Sequence, residues 1–593
     1  MNINYKILLT LFVPLFACSV QAQNLDSLNA SNLKYDSILS SDENSMSTLF
    51  YKHQNDVLIN NLGPYGSPFY YPTAQYLYKK ELLTSISPFN NQLLKLHGIK
   101  PYTNITYINA SRKEQLFSIQ HFQQFGKLML LNFDFKKISS PGAYVNQEAN
   151  NTTFAGAFKF RTKKDNYELG FSTGIFRNFY KENGGLYDLK DYENSVYDNE
   201  RSYPVNLENS NSFIKKYEYQ LNQRLDLYKL HSDSIDTKTI YLKHQLKYTT
   251  KKRVFYDNDP LSKIYTNIYL DSIFSVDSIY TNNLSNSLNI GFRTSTYSFE
   301  LFGQYDQMQY VQNTFINSIY HTSYLGFETS WQKKELTIDA IAKYGLDGFC
   351  KEEIESEIAI VYDKTKYNIG GGIRYFLNGA DVNYIYYTSN HFIWTNEDFE
   401  KQSILNFHLN LKLKKLQLEF LAENKILNNT FYFDSLAMAN QDKNSTSIST
   451  FSLAKDYRLL NFHFRTAAIY QLTSNQYLFP LPELIGRQVL YYQKYIFKGA
   501  LKFQFGVGVS YSTEYYGYAY MPALTEFYVQ QNTKLGYYPQ IDVFINTHLK
   551  RAQIFLKYEH FNAGKSLHKS NEVPGYPPMN KSLKFGVSWN LFD

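Results

Sequence analysis

Cysteine is nearly absent from this sequence of 593 residues, which contains only Cys18 and Cys350. Tryptophan occurs 3 times, proline 16 times, and charged residues make up only 19% of the chain. The low proline content and the 44% of apolar residues exclude a disordered or collagen-like chain. After residue 22 no apolar run approaches the roughly 20 residues that a membrane-spanning helix needs, so a polytopic helical membrane protein is excluded as well.

The sequence motifs of common enzymes and cofactor sites are also missing. The chain contains no HExxH, GxSxG, Walker-type or CxxC motif, and no histidine pair at a metal-ligand spacing. We therefore predict that the protein is not an enzyme and has no catalytic, cofactor-binding or metal-binding residue. The formal net charge of +7 is small for a chain of this length, so nucleic acid is not expected as a partner.

Residues 1–22 have the features of a secretory signal peptide. A lysine supplies the positive start, residues 7–17 form an apolar stretch, and the final VQA is a small-residue cleavage site. The alternative is a lipoprotein signal in which Cys18 is acylated, and both alternatives imply export. If Cys18 leaves with the signal peptide, Cys350 remains as a single cysteine that cannot form an internal disulfide bond.

Aromatic residues are abundant, with 55 tyrosines and 45 phenylalanines, and they occur in segments where apolar and polar residues alternate. In residues 500–511, for example, Leu501 and Phe503 project to one side while Lys502 and Gln504 project to the other. Strands of a soluble β-sandwich also alternate, but they average five or six residues, whereas these run for about nine to thirteen. Their length favours an all-β fold in which a β-barrel spans a membrane.

The predicted organisation has three parts. These are the signal peptide at residues 1–22, an N-terminal periplasmic or lumen-associated lead-in at residues 23–99, and a transmembrane β-barrel at residues 100–593. We count 23 candidate strands in the barrel, an odd number that cannot place both chain ends in the periplasm, and residues 367–394 are the ambiguous segment. We therefore predict a closed antiparallel barrel of about 22 strands, within a range of about 16 to 24, with short periplasmic turns and long extracellular loops.

Two predicted hairpins test this assignment of faces, because a wrong register would oppose apolar to polar residues. In residues 405–423 a two-residue turn at Lys414-Lys415 leaves leucines and a phenylalanine opposed on one face. In residues 542–559 a turn at Lys550-Arg551 does the same. The predicted pairs are Leu413 with Leu416, Leu411 with Leu418 and Leu409 with Phe420 in the first hairpin, and Leu549 with Ala552, Ile545 with Leu556 and Val543 with Tyr558 in the second.

The polar faces of the strands supply the residues that we predict to line a pore. In a wide aqueous pore such side chains act through their summed field and tune ion selectivity. The candidates are Asn406, His408, Asn410, Lys412, Lys502, Gln504, Lys557 and Glu559.

Several stretches of the chain carry a resemblance to a known family. Residues 491–593 include KGALKFQFGVGVSYSTEYYGYAYMPALTEFYV and YPPMNKSLKFGVSWNLFD, and earlier stretches are PYTNITYINASRKEQ, ISSPGAYVNQ and ERSYPVNL. These sequences resemble the putative porins of the Bacteroidetes type, although residues 230–450 match only in pattern. The resemblance implies an outer-membrane β-barrel with a channel role, and it does not extend to the solute that is transported.

The end of the chain resembles the signal that the barrel assembly machinery reads. That signal has a polar residue, a glycine, an aromatic residue and an apolar residue at fixed spacing. Lys584, Gly586, Trp589 and Leu591 occupy those positions, and the departure is that Asp593 follows where many such proteins end on an aromatic residue.

Taken with the export signal, these features predict a porin-like channel in the outer membrane of a Gram-negative bacterium, for passive diffusion of small polar solutes. One alternative is a selective nutrient or hydrophobic-compound transporter whose lumen is occluded, for instance by residues 24–100. A second alternative is a surface adhesin carried on a barrel. The predicted partners are outer-membrane lipid and lipopolysaccharide, the barrel assembly machinery and small polar solutes, and no cofactor is predicted.

Overall fold

A computed structural model describes residues 101–126, 128–231, 237–313, 315–563, 573–578 and 580–592. The predicted signal peptide and lead-in therefore lie outside the described residues. Within the described residues, 22 strands form one antiparallel sheet. They are β1 (Tyr102–Ala110), β2 (Glu114–Phe125), β3 (Met129–Ser140), β4 (Ala149–Arg161), β5 (Tyr167–Lys181), β6 (Ser210–His231), β7 (Thr237–Asp257), β8 (Ser275–Arg293), β9 (Tyr297–Gln312), β10 (Ile316–Lys333), β11 (Leu336–Gly348), β12 (Ile354–Asp363), β13 (Tyr367–Asn378), β14 (Gln402–Leu413), β15 (Leu418–Asn428), β16 (Thr446–Leu459), β17 (Phe462–Thr473), β18 (Leu484–Ile496), β19 (Leu501–Ser512), β20 (Gln540–Leu549), β21 (Ala552–Glu559) and β22 (Ser582–Phe592).

The sheet is closed into a barrel. Each strand pairs with its neighbours in sequence, and β1 also pairs with β22, from Tyr102 opposite Phe592 to Ala110 opposite Lys584. A membrane interior offers no water to an unpaired strand edge, so closure is what allows a sheet to span it. The predicted closed barrel of about 22 strands is confirmed.

The two ends of the barrel differ in the length of their connections. At one end, which we call the short-turn end, the connections have two to five residues, and the first and last strands also begin and end there. At the other, the long-loop end, six connections are much longer. These are residues 182–209, 258–274, 379–401, 429–445, 513–539 and 560–581. This asymmetry is the one expected of short periplasmic turns and long external loops.

Side chains alternate between the two faces of the barrel wall. On β19 Gln504 is 1% exposed and faces inward, whereas the next residue, Phe505, is 46% exposed on the outer face. On β22 Lys584 is buried while Phe585 is exposed. The outer face is thus apolar where lipid covers it, and the inner face is polar, because the sequence alternates with a period of two.

Strands β6 to β10 are longer than a membrane requires. They have between 16 and 22 residues, whereas a tilted strand crosses the hydrocarbon core in about 9 to 11. This side of the barrel therefore extends beyond the bilayer.

The two predicted hairpins have different outcomes. The pairing of β20 with β21 is the predicted one, with Leu549 opposite Ala552. The predicted register of β14 with β15 is wrong by two residues, since Leu413 lies opposite Leu418 rather than Leu416. The turn is longer because Gln417 adopts a left-handed conformation, with φ of 48°, which a two-residue Lys-Lys turn does not provide. A shift of two residues keeps every side chain on its predicted face.

The ambiguous segment explains the odd strand count. Tyr367–Asn378 is a barrel strand, and the residues after it form a one-turn helix (Val382–Ile385) and a small hairpin (Tyr386–Thr388 with Ile393–Thr395) outside the barrel sheet. The additional candidate strand is therefore part of a loop. No helix in the described part of the chain is long and apolar enough to cross a membrane.

Candidate functional site: the lumen and its loop-covered entrance

The eight residues predicted to line the pore occupy inner-face positions on three strands, at different depths. Asn406, Gln504 and Lys557 are buried, whereas Lys412 lies near the short-turn end. Lys412 Nζ is 2.5 Å from the carboxylate of Glu419, and both side chains are more than half exposed. The remaining four, which are half-buried, are His408, Asn410, Lys502 and Glu559.

Among those eight residues, Lys557 and Glu559 belong to a buried charged group on the inner wall. Lys557 Nζ lies 2.8 Å from Glu559 Oε1 and 3.1 Å from Asp542 Oδ2. Lys584 Nζ lies 2.6 Å from Glu559 Oε2, and Lys584 is directly opposite Lys557 in the strand register. Glu559 thus separates two buried ammonium groups that would otherwise repel each other.

The four residues that match the assembly signal lie in different environments in the folded barrel. Lys584 joins the buried charged group, while Trp589 and Leu591 are exposed on the outer face. The ring of Phe555 packs directly against Gly586, so that a Cβ added to this glycine would lie 2.1 Å from Phe555 Cε1. A side chain at that position would displace the ring.

The connection between β19 and β20 contains a buried segment, residues 517–530, which we call the crossing segment. Nearly all of its residues are buried, and it includes a short hairpin of Ala519–Met521 with Glu526–Tyr528. Loops that run over a surface stay exposed, so a loop segment buried to this degree lies inside other structure.

The crossing segment is held by several other parts of the chain, one of which is nearly opposite its own strands. Arg253 on β7 donates a hydrogen bond through Nη2 to the carbonyl oxygen of Ala523, and the hydroxyl of Tyr520 donates to Glu182 Oε1 at 3.1 Å. The backbone N–H of Val529 donates to the carbonyl of Phe433 at 3.0 Å. In the strand order, β7 lies about nine to ten positions from the β19–β20 connection, where eleven positions are half the circumference. The segment therefore crosses the barrel near its long-loop end.

Aromatic side chains from several long loops pack around the crossing segment in one buried core. The ring of Tyr387 stacks on that of Trp394, with centroids 4.6 Å apart, and Trp394 meets Phe433 edge-on at 6.1 Å. Large members of this core are Phe255, Tyr265, Tyr387, Trp394, Phe433 and Met521, which come from five different parts of the chain.

A second set of contacts, next to this core, joins the loop of residues 258–274 to the loop of residues 379–401. The His391 ring stacks on Tyr265 with centroids 3.7 Å apart and shares a hydrogen bond with Ser275 at 2.9 Å. The side-chain oxygen Oδ1 of Asn390 accepts hydrogen bonds from the backbone N–H groups of Leu270 and Asp271 at 3.0 and 2.9 Å. The entrance is thus covered by loops that contact one another rather than by separate mobile loops.

The electrostatics of this covered entrance centre on Glu182. Burial raises the pKa of its carboxyl to about 7, although the hydrogen bond from Tyr520 and the charge of Arg253 act in the opposite direction. Burial also disfavours the charged form of His391 and therefore lowers its pKa. Glu182 can therefore exchange a proton near neutral pH at the point where the crossing segment is attached.

Sequence reasoning missed the crossing segment. A signal for it exists: the 27-residue connection 513–539 has the aromatic run YGYAYMPALTEFYV with a single charged residue in it. Such a run is too apolar for an exposed loop, and it indicates burial. Sequence reasoning also missed Lys584 as a member of the buried charged group, since alternation gives the face of a residue and not its partners across strands.

Comparison with solved structures identifies barrels of similar fold. The FrpB iron transporter (F3-3 variant) from Neisseria meningitidis is 9% identical, with a TM-score of 0.56 over 84% of this chain and 83% of that chain. The siderophore receptor PiuA from Acinetobacter baumannii is 11% identical, with a TM-score of 0.53 over 83% and 82%. The copper transporter OprC is 10% identical, with a TM-score of 0.57 over 83% and 80%. At such identities the likeness concerns the fold.

Sequence comparison gives the family. None of the curated proteins matches the chain. The profile of one family, described as putative porin, matches residues 95–593, which include all 22 barrel strands. The chain therefore belongs to the putative porin family.

Proposed function

We propose that the protein is an outer-membrane transporter that admits a small polar solute through a lumen whose outer entrance is closed by its own loops. The observation that supports this most is the crossing segment, residues 517–530. A barrel of more than about 16 strands leaves an aqueous lumen unless something fills it. Here a part of the same chain lies across the lumen and is attached to the far wall.

The inner wall supports a polar rather than a hydrophobic solute. Asn406 donates to Glu423 Oε1 at 2.9 Å, and Gln504 donates to Gln493 Oε1 at 2.8 Å, so the wall presents amides and charged groups at several depths. A hydrophobic compound would gain nothing from such a surface. The barrels of similar fold are an iron transporter, a siderophore receptor and a copper transporter, which supports nutrient uptake as the class of activity.

Transport then requires the crossing segment to move. Its polar attachments to the far wall are at Arg253 and Glu182, and Glu182 has a pKa near neutrality. Its other contacts are hydrogen bonds to neighbouring loops, such as that of Val529 with Phe433, and aromatic packing. A solute that binds better to the displaced arrangement shifts the population toward it, which is how a ligand opens such an entrance.

The test is single-channel conductance in planar lipid bilayers. One variant replaces residues 517–530 with a Gly-Ser stretch of equal length, and a matched control replaces residues 193–199, an exposed part of another long loop. We expect low conductance for the natural protein and the control, and a several-fold increase for the first variant.

Two results would contradict the proposal. A large and steady conductance of the natural protein, unchanged in the variant, would support passive diffusion through an open porin. Absence of conductance in all three forms would support the adhesin.

A further inference from the structure

A row of positive charges crosses the outer face of the barrel near its long-loop end. It consists of Lys137 on β3, Arg177 on β5, Lys215 on β6 and Lys252 on β7, with Thr152 on β4 between the first two. Each member lies directly opposite the next in the strand register. We call these four cations the cationic row.

The cationic row points away from the lumen. Adjacent residues on the same strands are buried and face inward, as strand alternation requires. These inward neighbours are Ile138, Phe176, Ile214 and Arg253. Each cation also lies three to five residues from the long-loop end of its strand. The row is therefore near the boundary between the outer leaflet and the external medium.

Like charges directly opposite each other on adjacent strands destabilise a sheet. Arg177 faces Lys215, and Lys215 faces Lys252, without an intervening strand. The rows that flank them on the outer face contain no acidic residue among the described positions. One flanking row is Phe135, Phe154, Ile175, Tyr217 and Thr250, and the other is Ser139, Asn150, Phe179, Phe213 and Val254.

Two of the four cations contact aromatic residues within the protein. Arg177 Nε donates to the hydroxyl of Tyr217 at 3.1 Å, and its guanidinium lies 5.5 Å from that ring. Lys215 Nζ lies 4.4 Å from the ring centre of Phe213. Glu148, an acidic residue at the adjoining loop, is paired with Lys181 instead, at 3.2 Å. The row thus concentrates positive charge beside aromatic and aliphatic side chains at the edge of the lipid-facing surface, and an anion that lies against it would offset the mutual repulsion of the cations.

We propose that the cationic row binds the phosphate groups of a lipid headgroup in the outer leaflet. Phe135, Phe154 and Ile175, in the flanking row nearer the short-turn end, would contact the acyl chains of the same molecule, which a free phosphate ion does not have. The row extends over four strand spacings, or about 19 Å, so it can engage more than one phosphate. These features fit a glycolipid that carries several phosphates, as lipopolysaccharide does, better than a phospholipid with a single phosphate.

The test uses the full chain and measures bound lipopolysaccharide by native mass spectrometry and by titration of the delipidated barrel. The variant K137Q/R177Q/K215Q/K252Q removes four charges from the row. The matched control K163Q/K334Q/K415Q/K550Q removes four exposed charges at the short-turn end. At about fivefold per cation, we expect the row variant to bind lipopolysaccharide at least about a hundredfold more weakly, and the control to bind like the natural protein.

Two further probes, dephosphorylated lipopolysaccharide and inorganic phosphate, distinguish binding of the phosphate groups from binding of the whole lipid. We expect the dephosphorylated lipid to bind the natural protein as weakly as intact lipid binds the row variant. Heat-modifiable migration in gels verifies that each variant is folded. Equal binding of intact lipid by the row variant and the natural protein would overturn the proposal. If inorganic phosphate displaced the bound lipopolysaccharide as effectively as free lipopolysaccharide does, the assignment to a lipid would be overturned.

Discussion

Replacing Glu559 with glutamine tests whether the buried charged group holds the inner wall together. Glu559 contacts Lys557 Nζ at 2.8 Å and Lys584 Nζ at 2.6 Å, and both lysines are almost fully buried. At an effective dielectric constant of about 20, each contact corresponds to about 6 kcal/mol of attraction before desolvation. Breaking a buried pair by removing one partner costs about 3 to 5 kcal/mol, because a buried charge remains without compensation. We expect Glu559→Gln to destabilise the barrel by about 3 to 5 kcal/mol.

The matched control is Glu419→Gln. Glu419 pairs with Lys412 at 2.5 Å, but both side chains are more than half exposed. Exposed pairs contribute about 0 to 1 kcal/mol, so the same chemical change should leave stability nearly unaltered. Urea unfolding of the barrel in lipid vesicles, followed by tryptophan fluorescence, measures both. Equal destabilisation by the two substitutions would refute the reasoning, since burial is the feature that distinguishes the two carboxylates.

Three further predictions follow from the structure. Gly586→Ala should destabilise the barrel by about 1 to 3 kcal/mol in the same assay, because the new methyl would overlap Phe555, whereas Gly303→Ala, with no atom within 4 Å of its Cβ position, should be neutral. Leu409→Arg, on the outer face, should cost about 2 to 4 kcal/mol and the inner-face Asn410→Arg clearly less, and equal costs would reject the assigned faces. The pKa of Glu182 is raised to about 7, so the attachment of the crossing segment is strongest below the ordinary glutamate pKa of about 4.3. It weakens as the pH rises from there through about 7. Conductance should therefore increase over this pH range, and Glu182→Gln should abolish that increase; an unchanged pH profile in the variant would contradict this assignment.

The period of two in the sequence was sufficient to predict the barrel wall. Strand β19, Leu501–Ser512, lies within one residue of the alternating segment 500–511, and the pairing of β20 with β21 follows from the requirement that apolar residues oppose one another. The register of β14 with β15 was not predictable in this way, because it depends on the left-handed conformation of Gln417 in the turn. Alternation also leaves the two registers that differ by two residues equally acceptable.

The lumen was less predictable than the wall. Alternation identifies a residue such as Gln504 as inward-facing, but its depth and its contact with Gln493 depend on the neighbouring strand. The crossing segment has no periodic pattern, and its attachment to Arg253 joins residues separated by 270 positions. Contacts of this kind arise from the closed three-dimensional arrangement, and local sequence carries little information about them.

The pairing of the first barrel strand with the last has a consequence for how the protein is made. The Tyr102 hydroxyl donates to Asn590 Oδ1 at 3.0 Å across a sequence separation of 488 residues. Until β22 has been added to the sheet, every shorter intermediate exposes two unpaired strand edges, and such edges promote aggregation. Contacts between distant residues also slow folding, because the entropy of closing the loop is lost before the contact forms. A chain truncated before residue 582 should therefore accumulate as an open and aggregation-prone sheet, which makes completion of the C-terminal strand the step that commits the molecule to the membrane.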